Sequence, residues 1–131
     1  MQVGKALLEA SSFRPIMKMI SKIRLLLEYK TYPIWLYDED GDVIDNDNPP
    51  EWDDDQRLTD AFMAVSDFYD TFFIDTKHEF RFVGSSDSAD EAKLKSLVDR
   101  ALEILYAKNN GKYIIQNDIR INLTSEDHQQ D

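Results

Sequence analysis

The sequence predicts a single α+β domain in which a mostly antiparallel sheet packs against about three helices. Length and composition are the first reason, because 131 residues with 42% hydrophobic side chains can form one core without disulfides or metals. Apolar patterns of helical and strand period also alternate along the chain. No internal repeat and no long linker divides it. We therefore expect one domain over residues 1–124 and a frayed polar tail over residues 125–131.

The N-terminal segment predicts a helix interrupted near Pro15, a residue that the first turn of a second helical piece tolerates. Apolar residues recur there at helical spacing, namely Ile16, Met19, Ile20, Ile23, Leu26 and Leu27. Arg14, Lys18 and Lys22 step by four along another face. This pattern favours a core-facing helix with a solvated basic edge over a helix that lies on a membrane surface.

A β-hairpin is predicted by TYPIWLY, residues 31–37, followed by DEDG and DVI. Both faces of the first strand are apolar or aromatic, as expected for a strand that is covered on both sides. Gly41 supplies the positive φ angle of the turn. The prolines at positions 49 and 50 keep the next stretch extended, and a helix follows. The apolar stripe of that helix consists of Leu58, Phe62, Val65, Tyr69 and Phe72.

The C-terminal half continues the alternation of strand and helix. HEFRFVG, residues 78–84, has the period of a strand, and Ser88 and Glu91 then have the spacing of a helix capping box. The apolar side of this helix consists of Leu94, Leu97, Val98, Ala101, Ile104 and Leu105. NNG, residues 109–111, ends the helix, and residues 113–123 predict one or two last strands.

Charge is unevenly distributed along the chain. Residues 1–32 carry a net charge of +4 and the remaining residues −15, which gives −11 in total. The acidic part repels phosphate backbones and anionic lipids, so we expect neither nucleic acid nor a membrane as a direct ligand. The chain has no cysteine, no secretory signal and no run of about 18 apolar residues, so a reducing cytoplasm is the expected compartment.

The acidic segment, residues 38–55, is the most unusual feature of the sequence. It contains no Lys or Arg and holds ten carboxylates, which are Asp38, Glu39, Asp40, Asp42, Asp45, Asp47, Glu51, Asp53, Asp54 and Asp55. Those at 38, 40 and 42 alternate as calcium ligands do, but Val43 and Pro49 stand where a helix-loop-helix calcium site needs Gly and Glu. We therefore predict no metal and no cofactor. The carboxylates at 53–55 also have a structural reason, because the first turn of a helix favours negative charge.

Catalytic residues are not predicted, and we expect that the protein is not an enzyme. His78 and His128 are the two histidines, and neither has an activated serine nearby in sequence. The four glycines are isolated, so no phosphate-binding loop is formed. A carboxylate-based, metal-dependent hydrolase stays as an alternative, which requires a pocket and groups that orient a substrate.

Recognition of another protein is the function that remains. Concentrated negative charge close to Trp35, Tyr37 and Trp52 combines long-range steering with aromatic anchors. A solubilising loop with buried aromatic side chains fits the same pattern equally well.

A resemblance favours recognition. The run YPIWLYDEDGDVIDND, the acidic entry to a helix, FYDTFFID and EFRFVG resemble small proteins of Gram-positive bacteria. Those proteins sit beside secreted polymorphic toxins, including LXG-type toxins, and act as their cognate immunity proteins. The resemblance spans roughly residues 32–115 and implies that this chain binds a cognate, basic toxin domain and masks its active surface. The ten carboxylates would then be contact residues, an assignment that rests on charge, and Trp35, Tyr37 and Trp52 would be anchors.

Two further questions stay open at this level. A nucleic-acid mimic that inhibits a DNA-binding protein is the rival binding function, and it would need its acids in two rows spaced like phosphates. The basic segment, Lys5 to Lys30, is either a second contact with the partner or the surface of a homodimer.

Overall fold

A computed structural model of the protein describes residues 19–124. These residues form six strands, a short 3-10 turn at Pro50–Trp52 and two α-helices. In chain order the strands and helices are β1 (Lys22–Leu25), β2 (Ile34–Tyr37), β3 (Val43–Asp45), α1 (Gln56–Asp70), β4 (Phe73–Asp75), β5 (Phe80–Phe82), α2 (Ser88–Asn109) and β6 (Ile114–Asn117). The predicted α+β class and single domain are confirmed.

The main sheet is mixed, with the strand order β3-β2-β1-β6. β1 is antiparallel to β2 and parallel to β6, while β2 and β3 form the predicted hairpin. β4 and β5 make a separate antiparallel pair. Three of the four strand pairings are therefore antiparallel, and the parallel one is possible because α1 and α2 lie in the long connection between β1 and β6.

One hydrophobic cluster joins the inner face of the sheet to the two helices, which pack against each other. Alternate residues of β1 and β2 enter this cluster, because successive side chains of a strand point to opposite faces. The members with almost no exposed surface are Ile23, Leu25, Ile34, Leu36, Leu58, Phe62, Val65, Leu94, Leu105 and Leu123. The helical stripes predicted from the sequence thus face the core.

The predicted helix around residues 16–27 is wrong where it can be compared with the structure. Residues up to 18 lie outside the described range, and Lys22–Leu25 is a strand. Its buried residues, Ile23 and Leu25, alternate with the half-buried Lys22 and Arg24. Taken alone, the apolar pattern of this segment fits the period of a helix and that of a strand. β2 and β6 supply backbone hydrogen-bond partners on either side, and these partners favour the strand. The described residues accordingly contain two α-helices, not about three.

Several element boundaries differ from the predicted ones. α1 ends at Asp70, and Phe73–Asp75 then forms β4, which pairs with the predicted strand around residue 80. The Asp87 side chain caps α2 by accepting from the amide of Ala89 at 2.9 Å, in place of Ser88. Asn110 ends α2 in the left-handed conformation, and one strand follows it. The predicted polar tail at 125–131 lies outside the described residues.

The backbone at Gly84 lies directly against the backbone of Leu123 in the C-terminal stretch, residues 119–124. Its φ is +62°, and a Cβ there would collide with the carbonyl oxygen of Leu123, which accepts a hydrogen bond from the amide of Ser85 at 2.7 Å. Gly41 also has a positive φ, +86°, but its Cβ would meet open space. We expect Gly41→Ala to cost about 1 kcal/mol of unfolding free energy from backbone strain. Gly84→Ala should cost roughly 3 kcal/mol, because overpacking adds to the strain.

Urea unfolding of the two variants measures this difference. Equal losses for Gly41→Ala and Gly84→Ala would show that residues 119–124 do not press on Gly84 in solution. A larger loss at Gly84 supports the contact.

Candidate protein-binding surface

The tip of the β2–β3 hairpin is built by Asp38, the first carboxylate of the acidic segment. It is 5% exposed, and its Oδ1 accepts from the amides of Asp40 at 2.9 Å and Asp42 at 3.0 Å. Gly41 donates its amide to the carbonyl of Asp38, at a positive φ that a glycine adopts easily. Asp38 therefore shapes the turn, and Glu39, Asp40 and Asp42 stay on the exposed surface.

Asn46 fastens the chain beyond β3 to the neighbouring strand. Its Nδ2 donates to the carbonyls of Tyr32 at 2.6 Å and Ile34 at 2.8 Å, and its Oδ1 accepts from the amide of Tyr32. These bonds extend the hairpin pairing beyond Asp45 by means of a side chain. The acidic stretch is thereby held against the sheet.

Asn48 provides a second attachment and is only 4% exposed. Its Oδ1 accepts from the Tyr32 hydroxyl at 2.7 Å, and its Nδ2 donates to Oγ1 of Thr59 on α1 at 3.0 Å. Burial is the main reason that the pKa of Tyr32 rises to about 12, so the phenol keeps its proton near neutral pH. A buried amide with all these partners fixes the loop between the sheet and α1.

Two carboxylates of the acidic segment are held by lysines of the same chain. Nζ of Lys112 lies 2.6 Å from Glu51, which also accepts from the Tyr113 hydroxyl. Partial burial alone would raise the pKa of Glu51, but the two hydrogen bonds outweigh it and the pKa is lowered. Asp55 caps α1 by accepting from the amide of Leu58 at 3.0 Å, and Nζ of Lys108 lies 2.8 Å away.

Apart from Asp38, Glu51 and Asp55, the seven remaining carboxylates of the acidic segment are exposed and form no ion pair with a residue between 19 and 124. They are Glu39, Asp40, Asp42, Asp45, Asp47, Asp53 and Asp54. Asp45 and Asp47 each accept a hydrogen bond from the amide that follows them. This part of the surface is therefore negative, and it lies on a backbone that hydrogen bonds hold in place.

The three aromatic residues predicted as anchors are at most partly accessible. Trp52 is 6% exposed and packs in the core at 5.7 Å, edge to face, against Tyr113. Tyr37 is half-buried and accepts from Arg24, and Trp35 is half-buried with no hydrogen-bond acceptor for its indole N–H among residues 19–124. Trp52 therefore attaches the acidic segment to the core, and almost none of its surface is accessible to a partner.

Sequence reasoning did not identify several residues that shape this surface. Asn46 and Asn48 lie in a polar loop that leads to two prolines, a composition that also fits an unattached turn. Lys108 and Lys112 are 53 and 61 residues away from their carboxylates, and only the fold brings them together. Val43 and Ile44, 53% and 38% exposed, make the strand at the edge of the surface apolar.

Comparisons of the chain with protein-family models, with curated proteins and with solved structures found no match. The resemblance to toxin immunity proteins therefore stays a prediction. Between residues 19 and 124, no group of three or more histidines and carboxylates is arranged to hold a metal ion. Neither helix of that range combines the length and the apolar character that crossing a membrane requires.

Asp55 gives a stability prediction with a defined pH dependence. Its hydrogen bonds with Lys108 and the Leu58 amide lower its pKa, so the ionised form stabilises the fold above the ordinary pKa of about 3.9. This contribution is lost as the pH falls through the lowered value. Asp55→Ala should cost about 1 kcal/mol of unfolding free energy at pH 7, and the difference should narrow below about pH 4.

Asp55→Asn is the matched control, because asparagine caps helices about as well as aspartate and lacks the charge. It should lose less than about 1 kcal/mol of unfolding free energy at pH 7, because ion pairs near the surface contribute little to stability. Urea midpoints of the three proteins at pH 7 and pH 3 measure both effects. A gap between wild type and Asp55→Ala that does not narrow in acid would contradict the assigned cap.

Proposed function

We propose that this protein is an immunity-type inhibitor, which binds a cognate toxin with a basic domain and masks the active surface of that domain. One observation carries the proposal. Seven exposed carboxylates of the acidic segment have no ion pair between residues 19 and 124, so no lysine or arginine of this range neutralises their charge.

Electrostatics gives this surface a long reach. A protein with a net charge of −11 attracts a basic partner before contact, and such steering raises association rates by roughly 10- to 1,000-fold at low salt. The Debye length at physiological ionic strength is about 8 Å, so neighbouring carboxylates act on an approaching cation together. Fast capture suits an inhibitor that must reach its toxin before the toxin reaches its target.

Attachment of the backbone adds to the affinity that such a surface can reach. Binding costs less when the contacting segment is already ordered, because the entropy of ordering has been lost during folding. Asn46 and Asn48 fix the loop after β3, and Glu51 and Asp55 fix its far end to Lys112 and Lys108. The seven carboxylates are the contacts in this proposal, and Asp38, Trp52 and Asp55 hold the segment in shape.

Co-expression with the toxin tests the proposal directly. Candidate toxin domains, taken from the C-terminal parts of proteins that adjacent genes encode, are each expressed in a bacterial host with and without this protein. We expect growth to stop with the toxin alone and to resume with wild type. A fourfold variant, Asp40→Asn, Asp42→Asn, Asp53→Asn and Asp54→Asn, should associate about tenfold more slowly with the purified toxin at low salt, and about 0.5 M salt should remove most of that difference.

Asp67→Asn combined with Glu103→Gln is the control, because both residues are exposed, form no ion pair in the described range and lie outside the acidic segment. This control should retain rescue and association rate at low salt. If wild type neither binds the toxin nor restores growth, the proposed function is wrong. Equal association rates for the fourfold variant and wild type would overturn the role of the acidic segment.

A further inference from the structure

β3 is the outermost strand of the main sheet that residues 19–124 form, and within this range one of its two backbone edges is open. It pairs with β2 on one side, and among residues 19–124 no strand lies on the other. All three of its residues are exposed, with Val43 at 53% and Ile44 at 38%. An open edge presents unpaired amide and carbonyl groups, to which an extended chain can add as a further strand.

Carboxylates surround this open edge. Asp42 precedes β3, Asp45 is its last residue, and Asp40 and Asp47 lie just beyond. None of the four has an ion pair in the described part of the chain. A second copy of β3 would bring like charges together, which disfavours pairing between two molecules of this protein. An extended strand that carries lysines or arginines meets opposite charges at the same positions.

We infer that the open edge of β3 binds an extended, basic segment of a partner protein, which adds to the sheet beside β3. This inference rests on the proposed function and names how the acidic surface is engaged. Backbone hydrogen bonds hold the added strand, and the exposed side chains of Val43 and Ile44 can contact its apolar side chains. The surrounding aspartates then select for basic residues at the remaining positions.

Three synthetic peptides of equal length separate backbone pairing from charge. The first is a capped heptapeptide that alternates Lys and Val, and the second has the same sequence with every central amide N-methylated. The third replaces Lys by Glu. N-methylation keeps the charge but removes the amide donors that a β-ladder requires. Affinity is measured by fluorescence anisotropy at low salt, and hydrogen exchange of the full chain locates the bound peptide.

We expect the Lys-Val peptide to bind at least about tenfold more tightly than its N-methylated form, a difference of about 1.4 kcal/mol. It should also slow exchange at an amide within Val43–Asp45, and the Glu-Val peptide should not bind. Asp42→Asn combined with Asp45→Asn should weaken binding of the Lys-Val peptide. The matched pair Asp67→Asn and Glu103→Gln, exposed and outside the acidic segment, should leave both the affinity and the slowed exchange at β3 unchanged.

Equal affinity for the Lys-Val peptide and its N-methylated form would overturn strand addition, because charge alone would then explain the binding. The absence of binding, or slowed exchange elsewhere than β3, would overturn it as well. Either result is independent of growth rescue, so the inhibitor function can hold while the mode of contact fails. Conversely, peptide binding at β3 without rescue by wild type would overturn the toxin assignment and leave the strand-adding edge.

Discussion

The position of β1 inside the main sheet determines which strands lie at the edges of that sheet. Ile23 and Leu25 are fully buried, and β1 bonds to β2 on one side and to β6 on the other. Because β1 occupies the middle, the β2–β3 hairpin must extend the sheet outwards and β3 becomes an edge. β6 fills the opposite position, and the turn before it carries Lys112 and Tyr113 to Glu51. The acidic segment is thus attached at its far end by the strand that closes the other side of the sheet.

The acidic segment combines strong self-repulsion with a well-attached backbone. Charges of one sign on a short stretch favour expanded conformations, and Asn46, Asn48, Glu51 and Asp55 supply the opposing contacts. Each contact joins a different neighbour: β2, α1, the turn before β6, and α2. Water and salt also moderate the repulsion, since the seven carboxylates without an ion pair between residues 19 and 124 are exposed. The chain therefore keeps a concentrated negative surface on a backbone that these contacts hold in place.

The local sequence pattern was sufficient to predict those elements whose conformation is decided by their own residues. The stripe Leu58, Phe62 and Val65 predicted α1, and the glycine at 41 between two apolar runs predicted the hairpin. β1 could not be recognised in this way, because its four residues fit either period and its conformation depends on strands that arrive later in the chain. The same limit applies to the acidic segment, whose contacts also involve distant parts of the chain. Exposure of seven of the ten acids followed from composition, whereas the burial of Trp52 and the pairing of Lys108 with Asp55 depend on distant segments.

The charges around β3 are negative, and their sign bears on whether they only protect the open edge or also attract a basic chain. Proteins protect open edges from aggregation by short strands, bulges and charged side chains, most often lysine. β3 has all three features, since it has three residues, its pairing with β2 is irregular and aspartates flank it. Either sign of charge would prevent two copies from pairing, so protection alone does not require carboxylates. If a basic chain adds beside β3 as proposed, carboxylates suit both tasks, because one set of aspartates then repels other copies and attracts the partner.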